Sequence, residues 1–464
     1  MYKNLLLAIA SFGFLAACTP AQMTAQGQPE YGWYSEGEDN SPEERIRFTV
    51  TNPLDIPLEN HPVVIKREDL PVQNIPERWV NIVDPNRTPR ENPTLEELED
   101  FGGYLYREEQ HGYNIDQQLD DLDKDGVWDE IFFLVDLEPG ETKDFYIYVG
   151  FYERGILEHR THAGIGNYGR MTVPFWESET MGWKLWYKHD VDLHAKVDRR
   201  LTAYQEYTTN RSGYYMDWVY GTDIMQVRSS FGAGGMAIFE DPSDPENPSR
   251  AYHGPYKDQG PYKDARFAYD VDFNGPLRSR LVVRTMHWNT EMGGFYELEQ
   301  RYTAVAHKNW SNVEVKFTKF LPPHDNVKFG AGIRKVGITG SEEYEAIIED
   351  GFIISMGHDI EARIPDEDIG DEALEVPWQA TALAIKNVYN PEYYSIENYL
   401  ENHVFMLDVN EEKTFEYKIF GAWSLAEDGM IDNEEDFVEY VRNETLKYNN
   451  PPVVDIHEHE VRPD

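Results

Sequence analysis

The sequence predicts an all-β protein, with an N-terminal immunoglobulin-like sandwich, a larger antiparallel β-sandwich and one C-terminal helix. Three observations predict this. Apolar and polar residues alternate in segment after segment, which is the two-residue period of a half-buried strand. Clusters of Gly, Pro, Asp and Asn separate those segments. A sustained helical period occurs in one place, Asn433 to Lys447.

Taken in order, residues 1–18 read as a secretory signal. Lys3 supplies the basic start, Leu5 to Leu15 the apolar run, and Leu15-Ala16-Ala17-Cys18 the small residues before a cut. The run is too short to span a membrane as a mature helix. Cys18, the single cysteine of the 464 residues, resembles the lipidated residue of a bacterial lipoprotein box. The body is then tethered by lipid, at the outer membrane and facing the periplasm, because no acidic run directly follows Cys18. Residues 19–42 are rich in Gln, Pro, Gly, Ser and Glu and form a flexible tether. In the first sandwich, residues 43–150, Ile46, Phe48 and Val50 alternate with Arg47, Thr49 and Thr51. Val63 to Ile65 follow, Thr94 to Glu99 suggest a short acidic helix, and Glu138-Pro139-Gly140-Glu141 is a turn between two apolar runs.

The large sandwich, residues 160–425, carries longer alternating strands. Examples are Leu281-Val283-Thr285, Val313-Val315-Phe317 and Phe415-Tyr417-Ile419. Residues 241–264 form a Pro, Asp and Gly loop with Gly-Pro-Tyr-Lys-Asp twice, too short to be a structural repeat. The closing helix puts Phe437, Val438, Val441 and Leu446 at helical spacing, and Pro451-Pro452 ends it. The remaining tail of the 430–464 segment is expected to be loose or draped over the surface.

Composition excludes some partners. A formal charge of −43 argues against nucleic acid and against a bare anionic membrane, leaving the lipid as the membrane contact. No disulfide is possible, and a monomer is expected. Arg154 to Arg211 carries nine Lys and Arg against seven acids, and Arg278 to Arg334 nine against five, so both are relatively basic islands. Aromatic residues make up 14% of the chain, with 30 Tyr against 22 Phe. Rings with polar tips suit sugar-binding surfaces, and a large β core uses them too.

Two constellations could carry chemistry. Asp121, Asp123, Asp125 and Asp129, around Gly126, offer oxygen ligands for a structural calcium ion, although Phe132 in the twelfth position excludes an EF-hand. A polar hairpin turn is the plain alternative. From His162 to Gly235 the chain interleaves rings with Lys, Arg and His at high density. Gly232-Ala233-Gly234-Gly235 lacks a strand-to-helix context and reads as a turn or bulge rather than a phosphate cradle. Gly-x-Ser-x-Gly and His-Glu-x-x-His are absent, which lowers the case for serine hydrolase or zinc peptidase chemistry.

Trp176-Glu177-Ser178-Glu179, Gly221-Thr222-Asp223, Ser230 to Gly235 and the Asp123 to Glu141 motifs resemble a family of Bacteroidota lipoproteins from polysaccharide-utilisation loci. That family was long catalogued as a domain of unknown function, and it includes the oligosaccharide dehydratase of ulvan breakdown. The resemblance implies a sandwich of polysaccharide-lyase or mutarotase type. It also implies loss of water from a non-reducing-end uronic acid, giving a 4,5-unsaturated uronate, with an acidic oligosaccharide as substrate and no cofactor needed for the chemistry.

Such an elimination needs the sugar carboxylate masked, a base for the C5 proton and an acid for the departing 4-hydroxyl. By residue type, Arg228 or Lys196 suits the masking, and His162, His189 and Tyr187 suit base and acid. Trp183, Trp186, Tyr214, Tyr215 and His287 are candidates for holding substrate. Rival readings are a polysaccharide lyase, a non-catalytic glycan-binding lipoprotein and, from fold alone, a mutarotase-like epimerase.

Overall fold

Alternation along the first strand puts Ile46, Phe48 and Val50 on one face, and all three are fully buried. The computed structural model describes residues 33–34, 42–87, 113–150, 157–168, 171–186, 190–203, 221–225, 227, 230–251, 265–335, 344–361, 374–397 and 401–462. Its first six strands are β1 (Glu44–Thr51), β2 (Leu58–Lys66), β3 (Val80–Val83), β4 (Gln117–Asp120), β5 (Glu130–Leu137) and β6 (Thr142–Val149). Next come β7 (Thr161–Tyr168), β8 (Met171–Ser178), β9 (Met181–Trp186), β10 (Asp190–Lys196), β11 (Gly221–Asp223) and β12 (Gly235–Phe239). Then follow β13 (Arg266–Asn274), β14 (Arg278–Asn289), β15 (Phe295–Val305), β16 (Trp310–Leu321), β17 (Lys328–Arg334) and β18 (Tyr344–Glu349). The chain closes with β19 (Phe352–Glu361), β20 (Leu374–Ile385), β21 (Glu392–Ile396), β22 (Asn402–Asp408), β23 (Thr414–Trp423), helix α1 (Glu434–Asn449) and β24 (Val453–Val461). The architecture is all-β and sandwich-like, with one α-helix among the described residues.

The N-terminal sandwich packs sheet β24-β1-β6-β3 against sheet β2-β5-β4. Phe48 stacks on Phe145 at 5.5 Å and meets Phe133 edge-on at 5.8 Å, so one aromatic cluster joins the two sheets. The Glu138 to Glu141 turn closes with Glu141 N donating to Glu138 O at 3.1 Å. It carries the chain across the sandwich, because β5 and β6 belong to different sheets.

The tail departs from expectation. Residues 453–461 are not loose; they pair antiparallel with β1 from Glu44 opposite Val461 to Thr51 opposite Val453. Backbone bonds and ion pairs such as Arg45 with Glu460 at 2.6 Å hold this strand. Its charged sequence therefore reads as tail, although charge on an edge strand is ordinary.

In the large sandwich, sheet β13-β14-β15-β16-β23-β20-β19-β18 faces two smaller sheets, β11-β10-β9-β8-β7 and β12-β17-β22-β21. A parallel bridge from Val191 to Gly232 connects the smaller two. Gly232 has φ +63°, and a Cβ there would sit 1.9 Å from Val191 O, so only glycine allows the approach. Trp176, Trp183, Trp288, Tyr296, Tyr302 and Tyr417 fill the space between the layers.

The outer face of the eight-stranded sheet is covered as well. Ala380, Ala382 and Ala384 on β20 make a shallow seat for Phe437, Val438 and Val441 of α1, and Phe132 of the first sandwich joins the same cluster. Asn433 caps the helix by accepting from Asp436 N at 3.0 Å. Leu446, expected on the apolar face, is 40% exposed, and Glu444 takes the buried position instead. No helix among the described residues is long and apolar enough to cross a membrane.

Candidate functional site

Strand β10 reads Asp190-Val191-Asp192-Leu193-His194-Ala195-Lys196, and every residue in it is buried. Period two sends Val191, Leu193 and Ala195 into the aromatic core and gathers the four polar side chains on the opposite face. Pairing registers extend that face across the sheet. His162 on β7 lies opposite Glu177 on β8, Glu177 opposite Gly182 on β9, Gly182 opposite His194, and His194 opposite Asp223 on β11. In the next row Phe175 faces Lys184, and Lys184 faces Asp192. Gly182 fills no volume in the row; a Cβ there would lie 3.2 Å from His194 Cβ.

Two ion clusters organise this face. In the first, the Lys196 ammonium is fully buried and donates to Glu177, to Ser178 O at 2.7 Å and to Arg200 O at 2.7 Å. Glu177 also accepts from Thr202 N at 2.9 Å and Ala203 N at 3.1 Å, and lies 3.5 Å from His162 Nδ1. Burial alone would raise the Glu177 carboxyl, but the Lys196 charge and these donors overcome it and bring it down to about 2. Glu177 is therefore an ionised carboxylate set beside His162, whose side chain is 21% exposed.

In the second cluster Lys184 reaches Asp223 at 2.5 Å and Asp192 at 3.2 Å. One ammonium serves two buried carboxylates, so burial and the Asp223 charge push Asp192 well above the usual carboxylate range. Beside these, Arg250 pairs with Asp190 and lies 4.6 Å over the Phe231 ring. Burial still lifts Asp190 to about 7 despite that pairing. The half-open edge of the face thus sets the His162 imidazole against an ionised carboxylate, and deeper in, burial raises the Asp190 and Asp192 carboxyls.

The structure brings together His162 and Lys196 among the residues chosen from sequence, and joins them through Glu177. It does not leave Lys196 available to mask a substrate charge, because all three of its donors are used inside the protein. Trp183 packs in the core, 6.2 Å from Trp176 and nearly parallel to it, and so is not a substrate platform. Trp186 is half-buried at the edge of the polar face, with Lys184 Nζ 5.4 Å from its ring centroid.

His287 is exposed on the eight-stranded sheet. A bulge between Thr285 and Trp288 shifts the alternation, so Trp288 rather than His287 points into the core. Tyr187, His189, Tyr214, Tyr215, Arg228 and Cys18 lie outside the described residues, as do residues 94–99 and the Gly-Pro-Tyr-Lys-Asp pair. Sequence reasoning passed over Glu177, Lys184, Asp190, Asp192, His194, Asp223 and Arg250 as site residues. The alternation of charged and aliphatic residues from Asp190 to Lys196 was the available signal.

The aspartate loop sits apart, on the first sandwich. Oxygens of Asp121, Asp123 and Asp129 lie within 4.8 Å of one another. Asp125 instead accepts from Val127 N at 2.8 Å, so three carboxylates converge rather than four. Asp121 accepts from Gly126 N at 2.8 Å and Asp129 from Leu122 N at 2.7 Å, which makes the loop a set of side-chain turns as well. Three carboxylate oxygens this close fit a hard cation on charge and ligand type.

Residues 50–454 match the family described as a domain of unknown function, DUF4861, and the chain belongs to that family. No curated protein matches the sequence. Among solved structures the chain is similar to an α-mannosidase from Enterococcus faecalis V583, at 9% identity and a TM-score of 0.48, covering 90% of this chain and 46% of that one. It is also similar to a glycosyl hydrolase family 38 protein from Enterococcus faecalis, at 10% identity and a TM-score of 0.47, covering 90% of this chain and 48% of that one. The chain spans about half the length of both.

Proposed function

We propose that this DUF4861 protein is a carbon-oxygen lyase that removes water from the terminal uronic acid of acidic oligosaccharides such as ulvan fragments. The observation that supports this most is the buried Glu177 carboxylate, held ionised by Lys196 and set against the half-open imidazole of His162. In the reaction His162 takes the C5 proton, and the imidazolium so formed is stabilised by Glu177. The electron pair left at C5 becomes the C4–C5 double bond, and the 4-hydroxyl leaves as water after receiving a proton. Tyr187 or His189 supplies that proton, and Arg228 masks the sugar carboxylate. Lys196 is a positioning residue that fixes Glu177. The protein works as a monomer, anchored through lipid on Cys18 at the periplasmic side of the outer membrane.

The test is incubation with uronate-terminated oligosaccharides, read by ultraviolet absorbance of an unsaturated uronate and by product mass. Loss of one water without chain cleavage is expected, and His162→Ala should lower the rate at least 100-fold. Cleavage with the same absorbance would make the protein a polysaccharide lyase. Saturable binding with no product would make it a glycan-binding protein.

A further inference from the structure

The outer face of the eight-stranded sheet, the first sandwich and the end of α1 line an open cavity of about 900 Å³, on the side of that sheet away from the polar face of β7 to β11. Five cations line it, Arg278, Arg280, Lys386, Lys418 and Lys447, and no Asp or Glu does among the described residues. That is a notable local excess in a chain of net charge −43.

Most of these cations have partners. Arg278 holds Asp120 at 2.6 Å and Glu130 at 2.8 Å, Lys386 holds Glu416 at 2.5 Å, and Lys447 holds Glu444 at 3.1 Å. Lys418 differs. It is 5% exposed, its ammonium lies 3.4 Å from the Trp310 ring centroid and 5.0 Å from that of Tyr448, and no described carboxylate pairs with it. Glu444, whose charge acts on Lys418, already serves Lys308, Lys447 and the Trp310 indole.

We propose that this cavity binds a carboxylate-bearing organic anion of about the size of a sugar acid, with Lys418 as the charge it pairs with. The volume suits a small molecule. Asn312, Asn387 and Thr303 line the same space and supply hydrogen-bonding groups for hydroxyls, while Val63, Val64 and Val388 supply apolar wall. Burial, with repulsion from Lys308 and Lys447 and against the attraction of Glu444, brings Lys418 down to about 7, so a further anion beside it would favour its charged form. The inference does not depend on the proposed lyase activity.

The experiment is trace acetylation of the whole protein at pH 7 with acetic anhydride, followed by peptide mass spectrometry of Lys418. Free Lys418 should label, saturating D-glucuronate should reduce its labelling at least fivefold, and D-glucose should not. The same protection is expected in His162→Ala, which separates this cavity from the lyase site. By calorimetry, Lys418→Met should weaken glucuronate binding at this site at least tenfold. Its thermal midpoint should not fall, because the change removes a buried charge. Absence of Lys418 labelling, equal protection by glucose, protection by inorganic sulfate but not by glucuronate, or unchanged binding in Lys418→Met would overturn the proposal.

Discussion

Replacing Glu177 by Gln keeps the shape of the side chain and removes its charge, leaving the Lys196 ammonium fully buried with two carbonyls and no carboxylate. The size of the effect follows from the shift of Glu177 from 4.5 to about 2. That is a difference of roughly 2.5 pKa units, worth about 3 kcal/mol at 1.36 kcal/mol per unit. Removing one partner of a buried pair costs about 3–5 kcal/mol in general, which agrees.

The sign is set by the depressed folded value. The stabilisation is fully present above pH 4.5 and is lost as pH falls through about 2. Urea unfolding of wild type and Glu177→Gln should therefore differ by about 3 kcal/mol at pH 6 and by roughly half that at pH 3. Glu177→Gln combined with Lys196→Met should recover most of the loss, since no buried charge then lacks a partner. A difference below about 1 kcal/mol at pH 6, or one that does not shrink toward pH 3, would refute the assignment of Glu177 as a carboxylate held ionised by Lys196.

Ending the chain after Asn450 removes β24 and its pairing with β1. Amide exchange in Arg45 to Val50 should then quicken at least tenfold, while exchange in β15 and β16 stays within twofold. At the aspartate loop, 10 mM calcium should stabilise the protein by about 1–3 kcal/mol, as expected for a site of 0.1–1 mM affinity. That gain should vanish in Asp123→Asn, and no gain in wild type would leave the loop a polar turn.

The strands were legible because burial on one face is written as a two-residue period, and β1, β16 and β23 kept it. Where the period failed to predict, a specific competitor won. The bulge at Met286 and His287 shifted the alternation of β14, Glu444 displaced Leu446 from the buried face of α1, and β24 is held by backbone pairing that leaves little hydrophobic trace. The site was legible in part. His162 and Lys196 could be chosen by type, but Glu177 looks like any other acid in a chain with 85 of them, and only the fold makes it a buried one. Trp183 looked like a sugar platform because a core tryptophan and an exposed one read alike until the partner layer is known.

Among the described residues the large sandwich buries charge on β8 to β11 and again beyond the eight-stranded sheet. Replacing a buried ion pair by well-packed apolar groups is often neutral or stabilising, so such clusters are weak evidence for stability. On β8 to β11 the acids equal or outnumber the bases within each cluster: Glu177 with Lys196, and Asp192 and Asp223 with Lys184. Proton transfer needs such groups. Beyond the eight-stranded sheet the balance reverses, with Lys308, Lys418 and Lys447 around Glu444, which is what capture of an anion needs. The two clusters lie on opposite sides of that sheet, so changing one should leave the other's chemistry intact.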